Sequence, residues 1–410
     1  MRGGSNGCDI SAEADEGGVS STAVMYAIAQ EAPTRVPPPE TQLLPSRPMT
    51  KNKLRVAVLG ATGTVGQRFI ALLENHPWFD VAVVAASRRS SGRTYSEAIK
   101  DRWVLPTPVP ATIAASIVRD ASEVEGIAPE VDLVFCAVDM RKEATAELEY
   151  AYARAETPVV SNNSAHRSTP DVPMMIPEVN PEHASVIPYQ RKRIGASRGF
   201  IAVKPNCSLQ SYVPAIHPLL DFEPRSVAVC TYQAISGAGK TFESWPEMTD
   251  NVVPYIKGEE EKSEQEPMKI WGHIDGAVIV PSTAPTITAQ CVRVPVSDGH
   301  LAAVFIAFER CPGREEILTR WRSYEGLPQH LGLPSAPMPL LTYFDDDARP
   351  QVRLDRGVGS GMGISIGRLR TDSVFDYRFV CLSHNAVRGA AGGAILTAEL
   401  LVQEGYVGAK

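Results

Sequence analysis

KLRVAVLGATGTVGQRFIALLENHPWFDVAVVAAS, residues 53–87, is the stretch that decides the fold. It opens on an apolar run, Leu54–Leu59, passes a glycine turn, and continues in a helical rhythm that gives Phe69, Leu72 and Leu73 a common face. A second apolar run, Val81–Ala86, closes it. Runs that are almost wholly apolar, rather than alternating, belong to strands covered on both faces; in a strand–helix–strand unit that means a parallel sheet. The turn between them spaces Gly60, Gly63 and Gly66 as G-x-x-G-x-x-G. Glycines there let the backbone close on a pyrophosphate, and the following helix N-terminus favours its negative charge. Gly60, Thr62, Gly63, Thr64, Val65 and Gly66 are therefore candidate dinucleotide contacts, because a strand precedes the motif and a helix follows it.

The end of the second strand selects the dinucleotide. A carboxylate at this place would hold the ribose 2′-hydroxyl of NAD. The sequence instead runs Ser87-Arg88-Arg89-Ser90, without a carboxylate. An arginine there suits the extra phosphate of NADP, so Ser87, Arg88 and Ser90 join the candidate cofactor contacts.

Composition narrows the class. The chain has 410 residues, enough for two or three domains, and 44% of them are hydrophobic, an ordinary share for a globular protein. Its net charge is −7, with no block of Lys or Arg, so neither nucleic acid nor an anionic membrane is an expected partner. No apolar run reaches the ~18 residues that a membrane-spanning helix needs. The seven cysteines are odd in number and include no C-x-x-C, which fits free thiols in the cytoplasm. Residues 1–50 are small, polar, acidic and then proline-rich, and read as a disordered leader rather than a signal or transit peptide. Met49 stands just before the first strand as an alternative start.

Alternation continues downstream, with a buried strand in 131–138, an amphipathic helix in 141–156 and a strand entering the turn at "PVVSNNS". Another short strand, Ile201–Lys204, runs into "KPNCSLQSYVPAIHPLL". That strand-to-helix turn puts Cys207 near a helix N-terminus, where a thiolate is favoured. Cys136, Cys230 and Cys381 sit in apolar strands and read as inert core thiols. A nucleophilic cysteine beside NADP suggests aldehyde oxidation through a hemithioacetal and a thioester, a chemistry that calls for no metal. Arg293 and His300, seven positions apart in "RVPVSDGH", are candidates for a carboxylate anchor and a base; His384 and His166 compete with His300. An odd spacing puts them on opposite faces of one strand unless Ser297-Asp298-Gly299 bends the chain.

"ISGAGKTFES", residues 235–244, imitates the end of a P-loop. The first glycine of a true P-loop would fall at position 234, which is Ala234, so a kinase or ATPase reading fails.

Taken together, "GATGTVGQRF", "SNNSAHR", "KPNCS", "YQAISGAG", "GEEEK", "RVPVSDGH" and "LSHNAVRGAAGGAILTAELL" occur in the order seen in aspartate-semialdehyde dehydrogenases. The chain resembles their fungal and archaeal branch over about residues 51–410. The resemblance implies NADP-dependent, reversible interconversion of L-aspartate 4-semialdehyde plus phosphate with L-4-aspartyl phosphate, at the branch toward homoserine, threonine and methionine. It implies Cys207 as nucleophile, Gln233 as substrate-orienting residue and His300 as general acid/base. It further implies Arg293 on the substrate carboxylate, Glu259 on the amino group and Lys262 on phosphate, with the register of Glu259–Glu261 open by one position. Asn163 and Arg167 would help hold phosphate or cofactor. Ser236, Gly237 and Asn385 would lie on the cofactor side, with Lys240 standing where the family suggests an aromatic residue or arginine.

The implied fold is α/β. A Rossmann-type NADP-binding domain would span 51–205 and be completed by 386–410, its C-terminal helix (about 389–404) returning to that domain. A catalytic domain with a mostly antiparallel sheet would span 206–385, and the polar segment 241–282 would be an insertion over the site or an oligomer contact. A homodimer or homotetramer is the expected assembly. N-acetyl-γ-glutamyl-phosphate reductase shares the architecture, but its cysteine is expected in a G-C-Y setting rather than N-C-S; glyceraldehyde-3-phosphate dehydrogenase is expected to carry an acidic residue for NAD. A non-catalytic NADP-binding module would not need Cys207, Arg293 and His300 together.

Overall fold

The computed structural model describes residues 53–410. The leader expected over 1–50, with Met49 and Cys8, lies outside the described residues. The opening unit forms as strand β1 (Leu54–Leu59), helix α1 (Thr64–Leu73) and strand β2 (Phe79–Ala86). Helix α1 buries Gly66, Gln67, Phe69, Ile70 and Leu73, while Leu72 stays half-buried. Ile70 rather than Leu72 thus completes the apolar stripe, as three- and four-residue spacing from Gly66 requires. Two of the three glycines are demanded by the protein itself. Gly60 has φ +80° and a Cβ there would lie 2.2 Å from the Ala137 carbonyl oxygen; a Cβ on Gly66 would lie 2.1 Å from the Gly60 oxygen. Gly63 is exposed, with open space on most sides.

Four more strands complete the first sheet: β3 (Arg119–Asp120), β4 (Leu133–Cys136), β5 (Val159–Ser161) and β6 (Ile201–Val203), with helix α2 (Lys142–Arg154) crossing from β4 to β5. The order is β3-β2-β1-β4-β5-β6, parallel at every junction. Because the chain builds to one side of β1 and restarts on the other, a crevice opens at the carboxyl ends of β1 and β4. Further along the same edge, Lys204 N–H donates to the Ser161 carbonyl at 2.8 Å. The turn after β5 and the turn after β6 are thereby held side by side.

The second sheet follows helix α3 (Leu209–Ile216). Its strands are β7 (Pro224–Gln233), then, after helix α4 (Glu259–Ile270) and a small hairpin of β8 (His273–Asp275) and β9 (Val278–Val280), β10 (Thr286–Arg293), β11 (His300–Phe308), β12 (Leu341–Phe344), β13 (Ile364–Thr371) and β14 (Tyr377–Ser383). The segment read as a polar insertion therefore contains α4 and the hairpin. The order is β10-β7-β11-β14-β13-β12, and the sheet is mixed: both outer junctions are parallel and the three inner ones antiparallel. Along β7 and β11 burial alternates, so one face packs on α3 while the other carries half-buried Ala228, Cys230, Ala303 and Phe305 and exposed Tyr232. Cys230 is thus not a core thiol, unlike Cys136 and Cys381, which are buried.

The chain ends in a π-helical turn, Val387–Ala391, and helix α5 (Gly392–Gln403), buried on all sides from Gly392 to Leu401. Helix α5 packs on α1 and β5. Arg388 anchors the turn, with Nη1 and Nη2 donating to the two Glu178 carboxylate oxygens at 2.9 and 3.1 Å, and Nη1 also to the Met362 carbonyl at 2.9 Å. Both side chains are essentially inaccessible. Removing one partner of such a pair strands the other's charge in the interior, so Arg388→Met is expected to cost about 3–5 kcal/mol. Urea unfolding checks this, and a loss under about 1 kcal/mol would show that the pair does not anchor the turn.

Candidate active site

A cavity of about 390 Å³ lies where the ends of the two sheets face each other. Its side chains sit where strands stop or start. Arg293 closes β10 in register with Gln233, the last residue of β7. His300 opens β11 one step beyond the Leu301–Tyr232 pair, which brings it beside Gln233. Of the two readings of Arg293 and His300, the bend at Ser297-Asp298-Gly299 is the one the structure shows: they belong to different strands with β7 between them. Residues 294–299 reverse the chain, and Gly299 takes φ +102° in that reversal. Gly237 lies over both side chains, where a Cβ would approach Arg293 Nη1 to 2.8 Å and His300 Nε2 to 3.1 Å.

Cys207 occupies the turn between β6 and α3, and its Sγ stands 3.4 Å from His300 Nε2. Asn206 builds that turn. Its Oδ1 accepts from Ser208 N–H at 2.8 Å and from Ser208 Oγ at 2.7 Å, and its own N–H donates to Glu266 Oε2 at 2.6 Å. Across the turn, a Cβ on Gly389 would lie 2.9 Å from Cys207 Cβ. The expectation of a thiol made more acidic by the helix end is also corrected. Burial and then Glu259 push the Cys207 thiol up, against Lys204, Arg167 and Arg293, which pull it down. Cys207 is half-buried, and the loss of water around a thiolate there acts against the helix terminus.

His300 has a fixed tautomer. The Ala234 N–H points at Nδ1 at 3.1 Å, so Nδ1 accepts and Nε2 carries the ring proton toward sulfur. Burial, then Arg293, drive its pKa down to about 3. The competing histidines stand elsewhere: His166 lies against Glu149 at 3.7 Å, and His384 accepts from Ala386 N–H at 3.3 Å.

Glu259 resolves the open register. It lines the cavity and accepts from Asn206 Nδ2 at 2.9 Å, Gln233 Nε2 at 3.1 Å and Lys262 Nζ at 2.8 Å. Glu260 instead bonds Gln290 and the Cys291 N–H, and Glu261 is exposed. Arg167 pairs with Glu266 at 2.9 Å. Arg293 donates to the Ala234 carbonyl at 2.7 Å and has no carboxylate partner among the described residues. Asn163 reaches the cavity but directs its Nδ2 to Glu149 at 3.2 Å. Its neighbour Asn162, absent from the candidates, has both amide atoms buried without a partner. Asn206, Glu266 and Lys204 were missed as well. Glu266 lies seven residues after Glu259 on the same helical face, which was the available signal.

Thr64, Val65, Ser236, Gly237 and Asn385 also line the cavity. Asn385 spends its amide on Gly299 N–H at 2.7 Å and Ser236 Oγ at 2.9 Å, framing the cavity with two loops. Gly60, Thr62 and Gly63 lie along the β1–α1 turn and Gly66 in the first turn of α1, all outside its lining, while Ser87 and Arg88 are exposed after β2 and Ser90 is buried. The cap residue Gly63 offers no side chain to the first amides of α1, and no acidic residue occupies that first turn. Those free N–H groups fit a pyrophosphate. Arg88 Nε donates to Asp120 Oδ2 at 2.9 Å, so a carboxylate does stand near the end of β2, supplied by β3. The "SGAG" loop forms one 3₁₀ turn, Ile235–Ala238, closed by Gly239 at φ +67°, with no helix after it such as a P-loop has.

Known proteins share this arrangement. The family models described as "Semialdehyde dehydrogenase, NAD binding domain" and "Semialdehyde dehydrogenase, dimerisation domain" match residues 55–187 and 216–388. The chain is 41% identical over 364 residues to the aspartate-semialdehyde dehydrogenase of Aspergillus fumigatus, covering 87% of this chain and 99% of that protein. It is 42% identical over 349 residues to that of Archaeoglobus fulgidus, covering 85% and 98%. The crystal structure of the Candida albicans aspartate-semialdehyde dehydrogenase with NADP superposes with a TM-score of 0.78 at 38% identity, covering 87% of this chain and 100% of that one.

The His300 geometry makes a direct prediction. With a folded-state pKa of about 3, below its ordinary value, the ring stays neutral as pH falls through the usual histidine range. Nitrogen NMR of labelled protein is expected to show the Nε2-protonated neutral tautomer from about pH 8 to 5. An imidazolium signal appearing near pH 6 would contradict it.

Proposed function

The chain belongs to the aspartate-semialdehyde dehydrogenase family, and we propose how its residues divide that family's reaction. The enzyme interconverts L-aspartate 4-semialdehyde plus phosphate with L-4-aspartyl phosphate, using NADP, in the biosynthesis of aspartate-derived amino acids. The observation that carries the assignment of roles is the Cys207 Sγ set 3.4 Å from His300 Nε2, in one cavity with an Arg293 that lacks a carboxylate partner among the described residues.

Arg293 takes the substrate α-carboxylate as a two-pronged ion pair. Glu259 takes the amino group, exchanging its bond to Lys262 for one to substrate and freeing Lys262, with Arg167 and Asn163, for phosphate. Gln233 Oε1, buried without a partner, is available to orient the substrate. The Cys207 thiolate adds to C4 of the aldehyde, and the carbonyl oxygen becomes an alkoxide. His300, which the resemblance casts as a proton relay, serves in its neutral tautomer as a hydrogen-bond donor that steadies this negative charge. NADP, when bound, supplies the acceptor for the hydride that leaves C4. A thioester then remains on Cys207, and a phosphate oxygen attacks its carbonyl carbon; the C–S bond breaks and the thiolate returns.

Residues 51–205 with 386–410 would hold the cofactor, with Arg88 the residue to take its 2′-phosphate, and residues 206–385 would carry the chemistry. The open face of the second sheet, with Tyr232, Phe305 and Ala303, is the surface through which two copies pair, as a homodimer or within a homotetramer. The six cysteines of the described residues are free, as a reducing cytoplasm keeps them. No helix among the described residues is long and apolar enough to cross a membrane.

The test is an NADPH absorbance assay with L-aspartate 4-semialdehyde and NADP⁺. Phosphate-dependent NADPH formation is expected, and Cys207→Ser is expected to lower turnover by at least about a thousandfold while NADP binding persists. Signal with N-acetylglutamate semialdehyde alone would move the chain to the sister reductase. Turnover retained by Cys207→Ser would remove the covalent route.

A further inference from the structure

We infer that Asn163 turns its carbonyl oxygen, not its amino group, into the cavity and thereby selects hydrogen phosphate over sulfate, with buried Glu149 as the residue that sets this orientation. The inference deepens the roles assigned above and rests on phosphate being received by the loop after β5, which carries Asn163 and Arg167.

The orientation follows from counting hydrogens. Asn163 N–H donates to Ser161 Oγ at 3.0 Å, so that hydroxyl is already an acceptor. Its own proton has one acceptor among the described residues, Glu149 Oε1 on helix α2. Glu149 Oε1 therefore accepts whether the carboxyl is ionised or carries a proton on Oε2. The Asn163 group facing it at 3.2 Å must then be Nδ2, whose second hydrogen is directed at Cys136 Sγ, 3.4 Å away. Both amide hydrogens are thus spent inside the protein. The frame that takes them is rigid and dry: Glu149, Ser161 and Cys136 are buried, and His166 Nε2 stands 3.7 Å from Glu149 Oε2. Asn163 Oδ1 has no partner among the described residues and is not sealed from the cavity that the residue lines.

What a lone acceptor does there depends on the ligand. Arg167 and Lys262 line the same cavity, and cations attract any tetrahedral oxyanion alike. Phosphate and sulfate match in shape and differ in a proton: near neutral pH phosphate carries a P–O–H and sulfate carries no hydroxyl. The Asn163 oxygen accepts from that hydroxyl. Against sulfate it faces a bare anionic oxygen, which repels it and leaves it unpaired. A site built around one hydroxyl rejects the analogue without it more strongly than shape alone could. Turned the other way, the carboxamide would donate to either anion and the preference would vanish. Asn162, whose amide atoms are both unbonded, can present either one and adds no preference of its own.

The test is calorimetric titration of the free, full-length protein with sodium phosphate and with sodium sulfate near neutral pH, chloride keeping the ionic strength equal. It needs no turnover, so its failure is distinct from failure of the assigned reaction, which the NADPH assay reads. Wild type is expected to bind phosphate at least about tenfold more tightly than sulfate. Asn163→Leu is expected to bring the two affinities within about threefold of each other, mainly by weakening phosphate. Glu149→Met removes the acceptor that holds Nδ2, and is expected to narrow the ratio with sulfate bound more tightly than by wild type. Glu149→Gln keeps an accepting oxygen and is expected to keep the wild-type ratio. A residue that merely shaped the loop would move both affinities together and leave their ratio alone. An unchanged ratio in folded Asn163→Leu would overturn the inference. So would equal affinities in wild type, an arm that decides the matter even if the variants fail to fold.

Discussion

The hydrogen bond from the Asn206 N–H to the Glu266 carboxylate, 2.6 Å long, is the constraint from which the site's geometry follows. It fixes the end of β6 against α4, so that the strand-to-helix turn cannot rotate. With the backbone pinned, the Asn206 side chain caps Ser208 on one side and forks onto Glu259 on the other. Glu266 also holds Arg167, and Lys269 of the same helix donates to the Arg167, Thr169 and Val172 carbonyls at 2.9, 2.6 and 2.8 Å. One helix thereby sets the nucleophile's turn, the loop after β5 and the acidic residue of the cavity in a single frame. Positioning of this kind, by side chains that are themselves hydrogen-bonded, is what keeps reacting groups within a fraction of an ångström.

That frame explains why so much charge is buried here. Ion pairs such as Arg167–Glu266 and Arg388–Glu178 gain little net stability over apolar packing, because both members lose their water. Their effect is geometric: Arg167 locks the loop after β5, which lines the cavity, and Arg388 locks the turn whose Gly389 lies against Cys207. The groups left over, Arg293, the amide of Asn162 and Gln233 Oε1, keep unfilled hydrogen-bonding capacity facing the cavity. A small anionic, amino-bearing substrate and a phosphate supply the missing partners.

The first sheet was legible because its strands are short, valine-rich apolar runs bounded by a glycine turn, and that length and flank separate them from helix. The candidate residues after β6, β7 and β10 were legible through the resemblance, and they do converge on one cavity. The relation of Arg293 to His300 was legible only in part: Ser297-Asp298-Gly299 marked a bend, but no local signal says that another strand lies between the two residues. The thiol of Cys207 was misjudged for a similar reason: the helix terminus is visible in sequence, but the burial that outweighs it comes from segments far along the chain. Lys204 was within reach, as a cation directly after a short apolar strand and immediately before the nucleophile's turn.

In covalent catalysis the aldehyde carbon is bonded to Cys207 before phosphate arrives. The most direct measurement withholds phosphate: enzyme, L-aspartate 4-semialdehyde and NADP⁺ are mixed, quenched in acid and analysed by intact-protein and peptide mass spectrometry. One acyl adduct per chain is expected, on the Cys207 peptide, with a matching single burst of NADPH. Continued NADPH formation without an adduct, or an adduct on any other cysteine, would contradict it.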